Sequence, residues 1–244
     1  MRIHLLGQPR SGTTYLFNVI RQYYVTNQDI EFGNEPYNSN FRDNRFFHKH
    51  LQEFINTPRC VIKNHTVHLV DMKEMGLLDD FNSAVDYTIV CWRQNIFELT
   101  ASMCVSRHKN QWYAGEQDIN PIYIGEHEFR NYWRGFYWET FKLKNNIYNL
   151  KVDKWINYDT LTRDVKQDWV NIGLCWTDPN VLITFKSHTE VSPPKHEVIK
   201  NYEDLRAYSE TLYLEEERLN FKKGIKTGVV IKDNIIEDFT CNSV

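Results

Sequence analysis

Cysteine is scarce in this sequence, and its spacing excludes the common cysteine-built sites. The chain of 244 residues has five cysteines, an odd number, and no two of them form a Cys-x-x-Cys pair. Several lie within apolar runs. We therefore expect reduced core thiols in a reducing compartment rather than a disulfide framework or a zinc site.

Long hydrophobic runs and an excess of positive charge are also missing. No apolar run approaches the roughly 20 residues that span a bilayer, and a glycine loop follows Met1 too closely for a signal peptide. We expect a cytoplasmic protein without a membrane span. The formal net charge of −3 at pH 7 argues against broad binding of nucleic acid or anionic membranes. Any bound anion must be held by a local cluster of groups.

The residues that are present alternate between strand-like and helix-like segments. Apolar runs predict strands over residues 2–6, 30–33, 60–63, 87–92 and 152–157. Helical patterns cover residues 14–24, 46–55, 95–107 and 126–149, the third opening on a capping box of Asn95 and Glu98. Strands separated by helices predict an α/β fold, a three-layer, P-loop-like domain with a central parallel sheet of about five strands flanked by helices. We expect residues 1–244 to form this single domain.

The segment from Gly7 to Thr14, here called the anion loop, joins the first strand to the first helix. Its sequence is Gly-Gln-Pro-Arg-Ser-Gly-Thr-Thr. Backbone N–H groups of a tight glycine loop and of a helix N-terminus converge on anions, and the helix dipole adds to the attraction. The hydroxyl groups of Thr13 and Thr14 can donate to the same anion.

The position of the basic residue distinguishes two kinds of anion loop. Nucleoside triphosphatases carry a lysine directly after the second glycine of Gly-x-x-x-x-Gly-Lys-[Ser/Thr]. In this chain Gly7 and Gly12 keep the spacing, but Thr13 occupies the lysine position and the basic residue, Arg10, lies inside the loop. This arrangement disfavours a triphosphatase.

Basic residues also follow two of the other predicted strands. Lys63 ends the strand at 60–63, and Arg93 follows the strand at 87–92, whereas Asp159 after the last strand is the exception. Ligands of open α/β sheets bind at the carboxyl ends of the strands. Arg10, Lys63 and Arg93 together predict a ligand with several anionic groups.

These residues resemble the sulfotransferase family. The segment Pro9-Arg-Ser-Gly-Thr-Thr14 is similar to the family's 5′-phosphosulfate loop, in the arginine form of tyrosylprotein, carbohydrate and many bacterial or phage members. Arg93 and Ser102 resemble the 3′-phosphate motif, although the usual Asn-Pro or Asp-Pro after the arginine is absent and the spacing is one residue longer than in cytosolic enzymes.

Two further segments extend the resemblance over residues 3–161. Lys63-Asn-His65 resembles the Lys-Thr-His of the cytosolic enzymes, and the residues 157–161, Asn-Tyr-Asp-Thr-Leu, resemble a Tyr-Glu-Asp-Leu segment more weakly. The C-terminal third matches only loosely.

The resemblance implies transfer of a sulfuryl group from 3′-phosphoadenosine 5′-phosphosulfate to an acceptor hydroxyl, a carbohydrate or small molecule being favoured, without a metal. The expected donor-binding residues are Pro9, Arg10, Ser11, Gly12, Thr13, Thr14, Arg93 and Ser102. Arg10 and Lys63 would stabilise charge on the phosphosulfate. Adenosine 3′,5′-bisphosphate is the expected product.

Two residues are candidates for the general base that deprotonates the acceptor. His65 matches the histidine of the cytosolic enzymes, and histidine is a common general base in enzymes. Glu35, in Gly-Asn-Glu-Pro, resembles the glutamate base of carbohydrate-type and some bacterial enzymes. The arginine-type loop slightly favours Glu35, and a combination of both remains open.

The remaining features leave alternatives open. Lys186 and Lys195 are either ligands of the 3′-phosphate or exposed loop residues, and Trp112 and Tyr113 are the best aromatic candidates for acceptor contact. The pairs His48/His50 and His65/His68 lack carboxylate or cysteine partners at metal-binding spacing. A P-loop kinase or nucleoside triphosphatase, and a non-catalytic nucleotide- or glycan-binding module of the same fold, are the alternative functions. The acceptor and the oligomeric state cannot be predicted from this sequence.

Overall fold

A computed structural model describes residues 1–24, 31–34, 44–110, 120–161, 168 and 194–237. The chain divides into two compact units. Unit 1 comprises Met1–Trp92 and Ile147–Ser187, and unit 2 comprises Arg93–Asn146 and His188–Val244. The prediction of a single domain stays a prediction, and each unit is described by itself.

Unit 1 contains a five-stranded parallel sheet. Its strands are β1 (Arg2–Gly7), β2 (Glu31–Asn34), β3 (Cys60–His65), β4 (Tyr87–Trp92) and β5 (Lys154–Asn157). They lie in the order β2-β3-β1-β4-β5, and every neighbouring pair is parallel. The prediction of an α/β fold with a parallel sheet flanked by helices is confirmed.

The three central strands of this sheet are buried on both faces. At least four consecutive residues are buried in each of β1, β3 and β4, which is the pattern of a strand covered from both sides. The core of unit 1 joins residues of β1, β3, β4 and β5 to four apolar side chains of the first helix, Leu16, Phe17, Val19 and Ile20.

The helices of unit 1 follow its strands. They are α1 (Thr13–Tyr24), α2 (Asn44–Asn56), α3 (Thr66–Glu74) and α4 (Leu78–Ala84). A short 3-10 turn, Tyr158–Thr160, directly follows β5. The predicted segments for β1, β2, β3, β4, α1 and α2 agree with these elements to within two residues at each end.

Unit 2 consists of helices and one hairpin in the described part of the chain. The helices are α5 (Ile96–Lys109), α6 (Glu126–Lys144), α7 (Lys195–Val198) and α8 (Tyr202–Lys222), and the hairpin pairs β6 (Val230–Lys232) with β7 (Ile235–Glu237). Helix α6 packs against both α5 and α8. Its aromatic residues Phe129, Trp133, Phe136 and Tyr137 are buried, as their helical spacing predicts.

One predicted boundary is wrong. The helix predicted over residues 126–149 ends at Lys144, because Asn146 and Asn149 adopt left-handed backbone conformations with φ of 47° and 51°, which a right-handed helix does not allow. The strand predicted over residues 152–157 agrees to within two residues, since it begins at Lys154, where its pairing with β4 starts.

Candidate functional site

The carboxyl end of the unit 1 sheet brings the anion loop beside two neighbouring strands. Gly7, the last residue of β1, is in register with His65 of β3 on one side and with Cys91 of β4 on the other. The loop therefore begins at the strand edge where ligands of open α/β sheets bind.

The anion loop turns sharply twice before it enters α1. The N–H of Ser11 donates to the carbonyl of Gln8 at 3.2 Å, and the backbone is left-handed at Arg10 (φ 67°) and at Gly12 (φ 85°). The N–H of Leu16 donates to the carbonyl of Gly12 at 3.1 Å, which starts the helical hydrogen bonds. The N–H groups of the first turn of α1 precede this ladder, so they point toward the loop.

Close packing explains the first glycine of the loop. A Cβ atom at Gly7 would lie 2.3 Å from the carbonyl oxygen of Cys91 and 2.6 Å from the Oγ of Ser11. The Ser11 hydroxyl is fully buried and lies 2.6 Å from the carbonyl oxygen of Gln8 and 3.0 Å from that of Cys91. The side chain of Ser11, predicted to bind the donor, thus ties the loop to β4.

Lys63 lies beside the start of α1. Its side chain belongs to β3 and is 1% exposed, and its Nζ donates to the Oγ1 of Thr14 at 3.0 Å. The first turn of α1, Thr13-Thr14-Tyr15-Leu16, contains no carboxylate. The buried ammonium group of Lys63 therefore lies beside the N-terminus of α1. Both the ammonium group and the helix N-terminus attract an anion.

His65 is oriented by a backbone carbonyl of the anion loop. Its Nδ1 lies 3.1 Å from the carbonyl oxygen of Gly7. In the capping box that opens α3, the His65 side chain also accepts from the backbone N–H of His68, so its ring is held between the loop and this helix. The backbone N–H of His65 donates to the Nδ1 of His68 at 3.1 Å, which also fixes the start of α3.

The other predicted loop residues differ in exposure. Pro9, Arg10, Gly12 and Thr14 are half-buried, whereas Thr13 is 2% exposed. Thr13 holds the position at which triphosphatases carry a lysine, and the ammonium group beside the loop belongs to Lys63 of β3.

Arg93 and Ser102 belong to unit 2. Helix α5 begins after Asn95, whose side chain accepts from the N–H of Glu98 at 2.9 Å, so the predicted cap is present. Glu98 and Ser102 are four residues apart and share one face of α5. The guanidinium group of Arg93 lies 3.8 Å from Glu98, and the Tyr202 hydroxyl donates to the other oxygen of Glu98 at 2.5 Å.

Glu35, Lys186, Trp112 and Tyr113 lie outside the described residues. Lys195 begins the short helix α7.

One residue beside the anion loop was not predicted to lie there. The ring of Tyr158 lies directly on Gly12, because a Cβ at Gly12 would be 1.9 Å from its Cδ2 atom. The resemblance of residues 157–161 to a family segment was the only signal, and it did not indicate which side chain contacts the loop.

Within the described ranges, no three or more histidine, cysteine, aspartate or glutamate side chains form a group that could hold a metal ion. None of the helices described here has the length and apolar character needed to cross a membrane.

Comparisons with known proteins give no assignment: no protein-family model, no curated protein and no solved structure matches this chain significantly.

Proposed function

We propose that this protein is a sulfotransferase that takes its sulfuryl group from 3′-phosphoadenosine 5′-phosphosulfate, on an α/β domain of the P-loop type. The observation that carries the proposal is the contact of Lys63 Nζ with Thr14 Oγ1 at 3.0 Å. This contact supplies a buried cation to a glycine loop whose own lysine position is taken by a buried threonine.

The described residues suit the phosphosulfate end of such a donor. The loop turns through left-handed conformations at Arg10 and Gly12, so successive N–H groups can face one anion, as in a backbone nest. Arg10, Thr14 and Lys63 would hold the phosphosulfate together with the N–H groups of α1. When bound, the donor supplies an activated sulfuryl group, whose leaving phosphate gains negative charge that these groups stabilise.

Two residues remain proposed as the general base. His65 lies beside the anion loop, with its Nδ1 3.1 Å from the carbonyl oxygen of Gly7, and an imidazole can accept a proton from an acceptor hydroxyl. Glu35 follows β2 directly in the sequence. The variants His65→Asn and Glu35→Gln, assayed for sulfate transfer over several acceptor classes, identify the base as the one whose loss abolishes turnover while nucleotide affinity is kept.

Arg93 and Ser102 are proposed as ligands of the 3′-phosphate. Their support is the sequence motif and the position of Arg93 3.8 Å from Glu98, a residue that lies one turn before Ser102 on α5. The carboxylate of Glu98 near Arg93 would compete with a phosphate for that guanidinium group, so Glu98→Gln tests the assignment together with Arg93→Ala. We expect the first variant to bind adenosine 3′,5′-bisphosphate more tightly and the second more weakly.

Titration calorimetry with adenosine 3′,5′-bisphosphate in the presence of a chelator tests the proposal. We expect the natural protein to bind without a metal and Lys63→Met to lose about 10- to 100-fold in affinity, the usual effect of one charge-assisted hydrogen bond. Lys151→Met is the matched control, because the Lys151 side chain is 90% exposed and the charge change is the same. Its affinity should stay within about twofold, as for an exposed charge.

Three outcomes would contradict the proposal. Binding of ATP only with Mg²⁺ would favour the kinase or triphosphatase. No binding of either nucleotide would favour a non-catalytic module. Equal affinity of Lys63→Met and the natural protein would remove Lys63 from the site and with it the observation that carries the proposal.

A further inference from the structure

The backbone of Gly12 lies under an aromatic ring. A Cβ atom at this position would be 1.9 Å from Cδ2, 2.4 Å from Cε2 and 3.1 Å from Cγ of Tyr158. These are atoms of a rigid ring and not the end of a flexible side chain, so a modest rotation cannot make room. Glycine is required here for two reasons, the left-handed φ of 85° and the contact with the ring.

The ring is held in place by the turn that carries it. Tyr158 follows the last residue of β5, Asn157, which is in register with Trp92 of β4. The side chain of Asn157 accepts from the N–H of Asp159 at 3.1 Å, and the Thr160 hydroxyl donates to the carbonyl of Asn157 at 2.8 Å. Tyr158 itself packs against the core of unit 1.

The other side of the loop is fixed to the sheet. The Ser11 hydroxyl contacts the carbonyl oxygen of Cys91. In addition, the carbonyl oxygen of Ser11 accepts a hydrogen bond from the Sγ of Cys91 at 2.7 Å. The peptide of Ser11 is therefore attached to β4, and the next residue, Gly12, is covered by Tyr158. A loop confined in this way keeps its N–H groups oriented before any ligand arrives, which lowers the entropic cost of binding.

We infer that Tyr158 is a positioning residue of the anion loop: its ring confines Gly12 and so holds the loop in the conformation that binds the anion. The role is assigned to the ring, which Gly12 contacts, so phenylalanine, which keeps the ring, should preserve it. The inference rests on the proposed function only in its consequence for nucleotide affinity, because the confinement of the loop is a property of the protein alone.

Amide hydrogen exchange of the ligand-free protein tests the confinement directly. We expect the peptide covering residues 8–14 to exchange about tenfold faster in Tyr158→Ala than in the natural protein, and at an unchanged rate in Tyr158→Phe. A peptide from the core strand β4 should exchange equally in all three proteins, which separates a local effect from a general loss of stability. Unchanged exchange of residues 8–14 in Tyr158→Ala would overturn the inference.

A double-mutant cycle tests the contact between the two residues. Gly12→Ala should lower the melting temperature strongly, and the Gly12→Ala/Tyr158→Ala protein should melt higher than additivity predicts, because removal of the ring makes room for the methyl group. Gly76→Ala is the matched control, since Gly76 has a φ of 70° and nothing lies within 4 Å of its Cβ position. Additive shifts, or equal shifts for Gly12→Ala and Gly76→Ala, would show that the ring does not confine Gly12.

Affinity for adenosine 3′,5′-bisphosphate measures the functional consequence. Well below the melting temperature we expect Tyr158→Ala to bind about tenfold more weakly and Tyr158→Phe to bind normally. Equal affinity in all three proteins would overturn the positioning role. Absence of binding by the natural protein would instead overturn the proposed function, while exchange and the cycle still decide whether Tyr158 confines the loop.

Discussion

His4 is a fully buried histidine in the middle of β1. Its ring packs edge-on against Phe81 with centroids 4.8 Å apart, and its Nε2 lies 3.4 Å from the amide nitrogen of Asn64. Burial, reinforced by the nearby His68, lowers the pKa of His4 to about 3. The imidazole is therefore neutral in the folded protein throughout the ordinary pH range, while in the unfolded chain it titrates near 6.5.

This difference in pKa predicts that acid destabilises the protein through His4. Between pH 6.5 and pH 3, His4 is protonated in the unfolded chain but neutral in the folded protein. The free energy of unfolding therefore falls as the pH is lowered. From pH 7 to pH 5 the loss from this residue is about 2 kcal/mol. Urea titrations of the natural protein and of His4→Leu check it: the variant should lack this part of the pH dependence. Parallel curves would show that His4 is not responsible.

At the scale of single elements, Asn95 determines where α5 begins. Its side chain accepts from the N–H of Glu98, and Asn95→Ala should therefore destabilise the protein by about 1 kcal/mol. Asn95→Ser keeps a hydrogen-bond acceptor at the cap, so it should lower the free energy of unfolding by only a few tenths of a kcal/mol. Chemical denaturation of the three proteins measures both changes. An alanine variant as stable as the natural protein would mean that the cap does not contribute.

The elements that the sequence predicted are those with uninterrupted or strictly periodic apolar residues. Strand β4 is a continuous apolar run, and both of its ends were predicted correctly. Helix α8 was not predicted, because its buried face includes three polar side chains, Ser209, Glu216 and Asn220. Glu216 pairs with Arg134, and Asn220 donates to the Tyr137 hydroxyl at 3.3 Å. These partners lie on α6, so local sequence does not reveal them.

The same distinction applies to the candidate site. The rule that ligands bind at the carboxyl ends of parallel strands predicted that Arg10 of the anion loop, Lys63 and Arg93 follow strands at one edge of the sheet, whereas His65 was a candidate only through the family resemblance. Sequence did not predict that Ser11 faces the protein interior or that Tyr158 covers Gly12. Both follow from distances between segments about 80 and 146 positions apart, which only the folded chain defines.

At the scale of the whole molecule, three buried cysteines allow the unfolding of each of the two units to be followed. Cys60 in β3 and Cys91 in β4 belong to unit 1, and Cys104 in α5 belongs to unit 2. Burial, with the nearby carboxylate of Glu128, raises the pKa of Cys104 to about 12. Since the thiolate is the reactive form, alkylation of this residue requires that α5 opens.

The prediction of one domain has a direct consequence for these thiols. A single cooperative domain unfolds in one step, so Cys60, Cys91 and Cys104 should become reactive at the same urea concentration. Brief exposure to iodoacetamide along a urea series, followed by mass spectrometry of the separate peptides, measures each midpoint individually. Fully denatured protein gives the reference for complete labelling. If Cys104 reacted at a different midpoint from Cys60 and Cys91, the two units would unfold independently, and the single-domain prediction would be wrong.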